Sequence, residues 1–336
     1  MSYYNMDSNL ISTPTFDESL SLIIRSSRLN LFIIFFPFAI ISFASLLNFS
    51  IDEICKRKGG VVGRLLAAGF GNVVEMIISI CALIHGEIEI VQTSLLGSII
   101  SNLLFVLGMC IFVGGCCYGD QIFNEVAAQT NSSLMTLSCV SLIIPVAFNS
   151  LFSNSSNNFI EISTEILYFS RGTSILLLIV YLFYLYFYLL THSHLFDENN
   201  DNDLEQPMVV SLSFIHSIGL LVVVTVCIAI SSECLVSSIE GTVKSLNISK
   251  IFIGVIIIPI VSNAVEHYTA VVAALRNNMN LAISISVGSS MQIALSVIPI
   301  LVMIGWIIGQ PMNFSFGTFG AISLIISVLL TDYVIR

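Results

Sequence analysis

Apolar residues fall in long blocks along this chain, separated by short polar stretches. A block of about 20 apolar residues is long enough to cross a bilayer as a helix. The blocks predict nine spans, at approximately 29–49, 60–84, 88–115, 125–149, 166–190, 209–235, 249–275, 279–308 and 315–335. The expected fold class is therefore an all-α polytopic membrane protein. The organisation reads as a polar N-terminal segment 1–28, a first bundle 29–190, an acidic linker 191–208 and a second bundle 209–336.

Within two of these blocks the apolar pattern is broken in the same way. Gly71-Asn72-Val73-Val74-Glu75 in the second block returns as Ser262-Asn263-Ala264-Val265-Glu266 in the seventh, 191 residues later. The same offset carries Gly97-Ser98 onto Gly288-Ser289. Over 71–115 against 262–306 there are nine identities: Asn72, Val74, Glu75, Ala82, Gly97, Ser98, Leu104, Val106 and Gly114. Shared Leu and Val carry little weight between membrane helices; Asn, Glu and the Gly-Ser pair carry the argument. Five crossings separate the two motifs, so the units are inverted copies. Inverted repeats with a site at their interface are a transporter signature.

Composition agrees with a membrane protein. The chain is 56% hydrophobic and 10% charged, with mean hydropathy +0.97; a soluble domain carries about 25% charged residues. A net charge of −10 and only 11 Lys and Arg argue against a nucleic-acid partner. The eight Cys show no CxxC or Cys/His ligand spacing and read as small buried residues. Orientation stays open. Lys56, Arg57, Lys58 and Arg64 favour a cytosolic loop, whereas Arg25 and Arg28 favour a cytosolic N-terminus.

The chemistry lies in the paired motif. A carboxylate at the centre of a bilayer costs roughly 2.5–3.5 kcal/mol, and this chain accepts that cost twice. Calcium takes about 6–8 oxygen ligands, and Glu75 and Glu266 together cancel its charge. Asn72 and Asn263 stand three residues earlier, on the same helical face. Ser98 with Asn102, and Ser289 with Gln292, add polar groups beside glycines that let helices approach closely. Burial and mutual repulsion both favour protonation of the pair, so two protons or one divalent cation neutralise it equally well. Exclusive occupancy of one site is the physical basis of antiport and needs no cofactor. His267 follows Glu266 directly and points to another face. Glu53 and Glu233 are read as cavity or interface residues, and Glu240, Lys244 and Lys250 as a solvated loop. The stretch 197–208 has the first EF-hand positions but Asn202 for the required Gly and Met208 for the final Glu; it reads as a solvated acidic loop.

These motifs resemble a known family, the cation/proton exchangers of vacuolar calcium/proton antiporter type in the calcium/cation antiporter superfamily. GNVVEMIISICALIHGEIEIVQTSLLGSIISNLLFVLGMCIFVGG resembles its first repeat, and IPIVSNAVEHYTAVVAALRNNMNLAISISVGSSMQIALSVIPILVMIGWIIGQPM its second. The resemblance implies that Glu75 and Glu266 carry the cation and the protons, with Asn72, Ser98, Asn102, Asn263, Ser289 and Gln292 as polar lining. It implies an inverted-repeat transporter bundle with no enzymatic activity, calcium ions and protons as its partners in the lipid bilayer, and a vacuolar or other acidic organelle membrane. A homo-oligomer is left open. The family usually has eleven spans; here one span stands where two are expected at the start, and the second bundle lacks its last helix. Two rivals are kept: a sodium-coupled calcium exchanger, and a truncated membrane protein that does not transport. Neither an HExxH pair nor a GxSxG elbow occurs.

Overall fold

A computed structural model describes residues 16–58, 60–152, 159–192 and 211–335. All regular structure among them is helical. The acidic linker from Asp197 to Glu205, with its EF-hand-like stretch, lies outside the described residues.

Helix α1 (Phe16–Lys58) is continuous for 43 residues and starts inside the stretch expected to be a polar segment. It also runs past the expected end at 49, because its polar C-terminal turn is held by partners far along the chain. Glu53 is fully buried, lies 3.0 Å from Lys56 Nζ, and accepts from the backbone N–H groups of Ser211 (2.9 Å) and Leu212 (3.0 Å). Arg57 donates to the Leu212 carbonyl. Glu53 is thus a structural anchor for the start of α8 (Phe214–Leu246). Helices α1 and α8 form the most extensive helix pair of the fold.

The expected span 60–84 is two helices, α2 (Gly60–Phe70) and α3 (Val73–Ile84). The break at Gly71-Asn72 joins two weak helix formers. α4 (Ile88–Ile100) continues through a π-helical segment, Ser101–Val106, into α5 (Leu107–Cys117). α6 (Glu125–Phe152) and α7 (Phe159–Tyr186) complete the first half. In the second half, α9 (Lys250–Phe252) passes through π segment Ile253–Ile257 into α10 (Ile258–Ser262), and α11 (Ala264–Leu275) follows after Asn263. The two parts of this span meet at 58°. α12 (Met279–Gln292) runs through π segment Ile293–Val297 into α13 (Ile298–Ile308), and α14 (Gly317–Ile335) follows.

Among the described residues, seven helices are long and apolar enough to span a bilayer, eight if the bent pair counts as one. The expected count of nine is met only by adding the broken helix α2–α3, whose pieces are 11 and 12 residues long. Residues 191 apart recur in like geometry. Gly86 and Asn277, in the turns after α3 and α11, are both left-handed, at φ +74° and +61°.

Two π segments have a visible cause. Pro259 and Pro299 follow them by two residues, and each lacks the N–H that would bond the carbonyl four residues back. For Pro259 that carbonyl is Val255, and α4 packs closely there: a Cβ on Gly97 would clash with Val255 O and come within 2.8 Å of Pro259 Cγ. The same close approach was expected at Gly288. There a Cβ would meet nothing nearer than 3.8 Å, so the two halves are packed differently at this point.

The cysteine reading holds for Cys81, Cys110 and Cys139, which are buried; Cys116 and Cys117 are exposed at the end of α5. Tyr181 and Tyr184 of α7 are buried, and Tyr184 stacks on Tyr188, just beyond α7, at 5.7 Å.

Candidate functional site

Asn72 and Asn263 occupy the two helix breaks, with φ/ψ of −104°/27° and −96°/5°. Their backbone carbonyls accept from Met76 N (3.1 Å) and His267 N (2.9 Å), which starts each following helix. Neither side chain caps its own helix. Both amides reach across to the other half instead. Asn72 Nδ2 donates to Gln292 Oε1 at 3.1 Å, and Asn72 Oδ1 accepts from Ser289 Oγ at 2.7 Å. Asn263 Nδ2 donates to Ser98 Oγ at 3.0 Å. The Asn72–Ser289 and Asn263–Ser98 contacts are images of one another under the 191-residue offset.

The carboxylates sit one turn further on. Glu75 is 4% exposed, and its Oε1 is buried without a hydrogen-bond partner. Glu266 is half-buried, with Oε2 2.9 Å from Ser289 Oγ. Among the described residues no ion pair involves either of them. Asn263 Oδ1 is a second buried oxygen without a partner. Leaving such oxygens dry and unpaired costs about 1–3 kcal/mol each, so both are available to a guest that brings positive charge or a donor.

Ser289 sits where the network converges. Its oxygen accepts from Asn102 Nδ2 at 3.3 Å and faces two acceptors, Asn72 Oδ1 and Glu266 Oε2. A hydroxyl has one proton. Both short contacts are full hydrogen bonds only when Glu266 carries a proton and donates to Ser289, leaving the serine proton for Asn72. The constellation thus has a proton-loaded form in which Ser289 and its three partners are satisfied.

All eight residues singled out from the sequence fall in this region, and seven are joined by the contacts above. Glu75 is the exception: its Oε1 stands unpaired beside them on α3. His267 does point elsewhere. Its ring meets Phe105 edge-on at 6.1 Å, and its Nε2 is buried without a partner. Lys250 is not a loop residue. It bridges Glu87 (3.0 and 3.1 Å) and Glu240 (3.7 Å), tying the start of α9 to the start of α4. The sequence reading missed this pair and the π segments beside Ser98 and Ser289. Of the π segments Ser101–Val106, Ile253–Ile257 and Ile293–Val297, the last two were signalled by Pro259 and Pro299.

The sequence profile described as sodium/calcium exchanger protein matches residues 29–190 and 216–336. The vacuolar calcium ion transporter of Schizosaccharomyces pombe is 41% identical over 299 residues, covering 89% of this chain and 71% of that one. The Ca(2+)/H(+) antiporter of Aphanothece halophytica is 39% identical over 307 residues, covering 88% and 80%. The solved structure of native YfkE has a TM-score of 0.75 at 32% identity, covering 94% of this chain and 88% of that one. With its two half-sites of Asn, Glu and Ser facing each other across broken helices, the chain belongs to the sodium/calcium exchanger protein family.

Proposed function

We propose that this protein exchanges calcium, or a closely related divalent cation, for protons at one site between its two halves. The cation is held by Glu75 and Glu266, with oxygens of Asn72, Asn263, Ser98, Asn102, Ser289 and Gln292 completing the shell. The observation that carries this reading is the pair of unpartnered buried oxygens, Glu75 Oε1 and Asn263 Oδ1, in a site without a resident cation among the described side chains. A divalent ion neutralises both carboxylates and takes those oxygens as ligands. Protons do the same work on Glu266 through Ser289, so the two cargoes exclude each other.

The names of the relatives support calcium and proton as cargo and a vacuolar membrane as location. Proton coupling is favoured over sodium because the hydrogen-bond inventory at Ser289 accommodates a proton on Glu266 without further ligands. Reconstitution tests this. Calcium-45 uptake into vesicles should require an acidic interior and stop with a protonophore. Uptake that runs on a sodium gradient and ignores pH would overturn proton coupling.

A further inference from the structure

His85 stands at the C-terminal end of α3, ten residues beyond Glu75. Its two ring nitrogens face two oxygens that can only accept. Nδ1 lies 2.9 Å from the backbone carbonyl of Cys81, and Nε2 lies 3.2 Å from Glu233 Oε1 on α8. A carbonyl takes a proton from Nδ1, and an ionised carboxylate takes one from Nε2. Neutral imidazole has only one N–H. Both contacts are hydrogen bonds only when the ring carries two N–H groups; with one, it can donate to only one of the two oxygens. The end of a helix also favours a cation, because its last carbonyls point there.

The internal repeat sharpens the point. The residue 191 positions on is Arg276, which ends α11 as His85 ends α3. One motif helix closes on a cation that keeps its charge at all working pH. The other closes on the side chain that changes charge across physiological pH.

We propose that His85 is a proton-operated clasp that positions α3, and with it Asn72 and Glu75, against α8. Protonated, it bridges Cys81 O and Glu233. Deprotonated, it keeps the Cys81 bond and turns a lone pair toward the Glu233 oxygen, and the bridge is lost. Few other ionisable groups meet it. Glu233 faces it from α8, and Cys81 from its own helix. On the adjacent α4, the N-cap Glu87 is engaged by Lys250 at 3.0 Å, which Glu240 also approaches at 3.7 Å, and Glu89 in its first turn is exposed. α10 and α13 also pack on α3 and contain no ionisable residue. The neighbouring loop offers Gln310, beside Gly86. The pair is part-exposed, with side chains 37% and 51% accessible, so it acts as a light clasp rather than a lock.

The sign follows from the geometry: the clasp holds at low pH and opens as pH rises. Thermal unfolding of the purified full chain tests it without reference to transport. At about pH 5.5, wild type should melt about 2 °C above His85→Ala, and the gap should close by about pH 8. Glu233→Gln should show the same pH-dependent gap below wild type, and the double variant should melt no lower than either single one. His85→Arg should keep the gap at both pH values, because its charge does not titrate. A gap equal at both pH values, or losses that add in the double variant, would overturn the clasp. In calcium flux, His85→Ala and His85→Arg should both flatten the pH profile while the two Glu stay intact. Profiles that superpose on wild type would remove His85 from any positioning role.

Discussion

Ser289 and Asn72 are 217 residues apart in sequence, yet Ser289 Oγ lies 2.7 Å from Asn72 Oδ1. The bond joins α12 of one half to the helix break of the other. It couples the geometry of the first motif to the protonation of Glu266, because the same hydroxyl faces both.

Ser289→Ala removes the shared hydroxyl and leaves Asn72 Oδ1 and Glu266 Oε2 without it. A buried group so abandoned costs about 1–3 kcal/mol, so calcium affinity should fall roughly tenfold or more, while Ser289→Thr retains most of it. Flux titrated against calcium concentration checks this. An alanine variant with wild-type affinity would take Ser289 out of the site.

Glu75→Gln and Glu266→Gln keep shape and remove charge. Each should abolish cation transport while leaving a folded, inserted protein, since one remaining carboxylate leaves a divalent ion half-neutralised. Calcium-45 flux together with size-exclusion behaviour separates loss of function from loss of fold. Near-normal flux in either variant would dismiss that carboxylate.

Gly97→Ala and Gly288→Ala should differ although the positions are repeat mates. The first drives a methyl group into the Val255 carbonyl and Pro259; overpacking of this kind costs about 1–3 kcal/mol, and transport should drop with it. The second meets open space to 3.8 Å and should be close to wild type. Thermal stability in detergent reads both. Equal effects would mean that the two halves exchange packing during the cycle.

Lys250→Ala breaks a bridge to both oxygens of Glu87. With Lys250 30% exposed and Glu87 19%, the expected loss is small, up to about 1 kcal/mol, and it should shrink with added salt. Stability measured at low and high ionic strength tests this. A large, salt-independent loss would show that the pair is more enclosed than its exposure indicates.

Helix content, membrane character and the position of the two motifs were legible in the sequence, because each has a local cause. Apolar runs of bilayer length report helices wherever they occur, and Glu75 and Glu266 are conspicuous because a charge inside such a run is expensive. The Asn placed one turn before each Glu could be read off the helical period alone. The tertiary structure decided what depends on residues far apart in the chain. That the amide of Asn72, at the α2–α3 break, bonds to Ser289 and Gln292 of α12 depends on residues more than 200 positions away. That Glu53 serves the fold follows from the backbone of Ser211 and Leu212, and that Lys250 is a bridge follows from Glu87. The difference between Gly97 and Gly288, each followed by Ser at the same place in the repeat, came from what lies opposite each of them. Periodicity along a chain records how much of a helix is buried; it holds no record of which helix is the neighbour, and hydrogen bonds and close contacts are made only with neighbours.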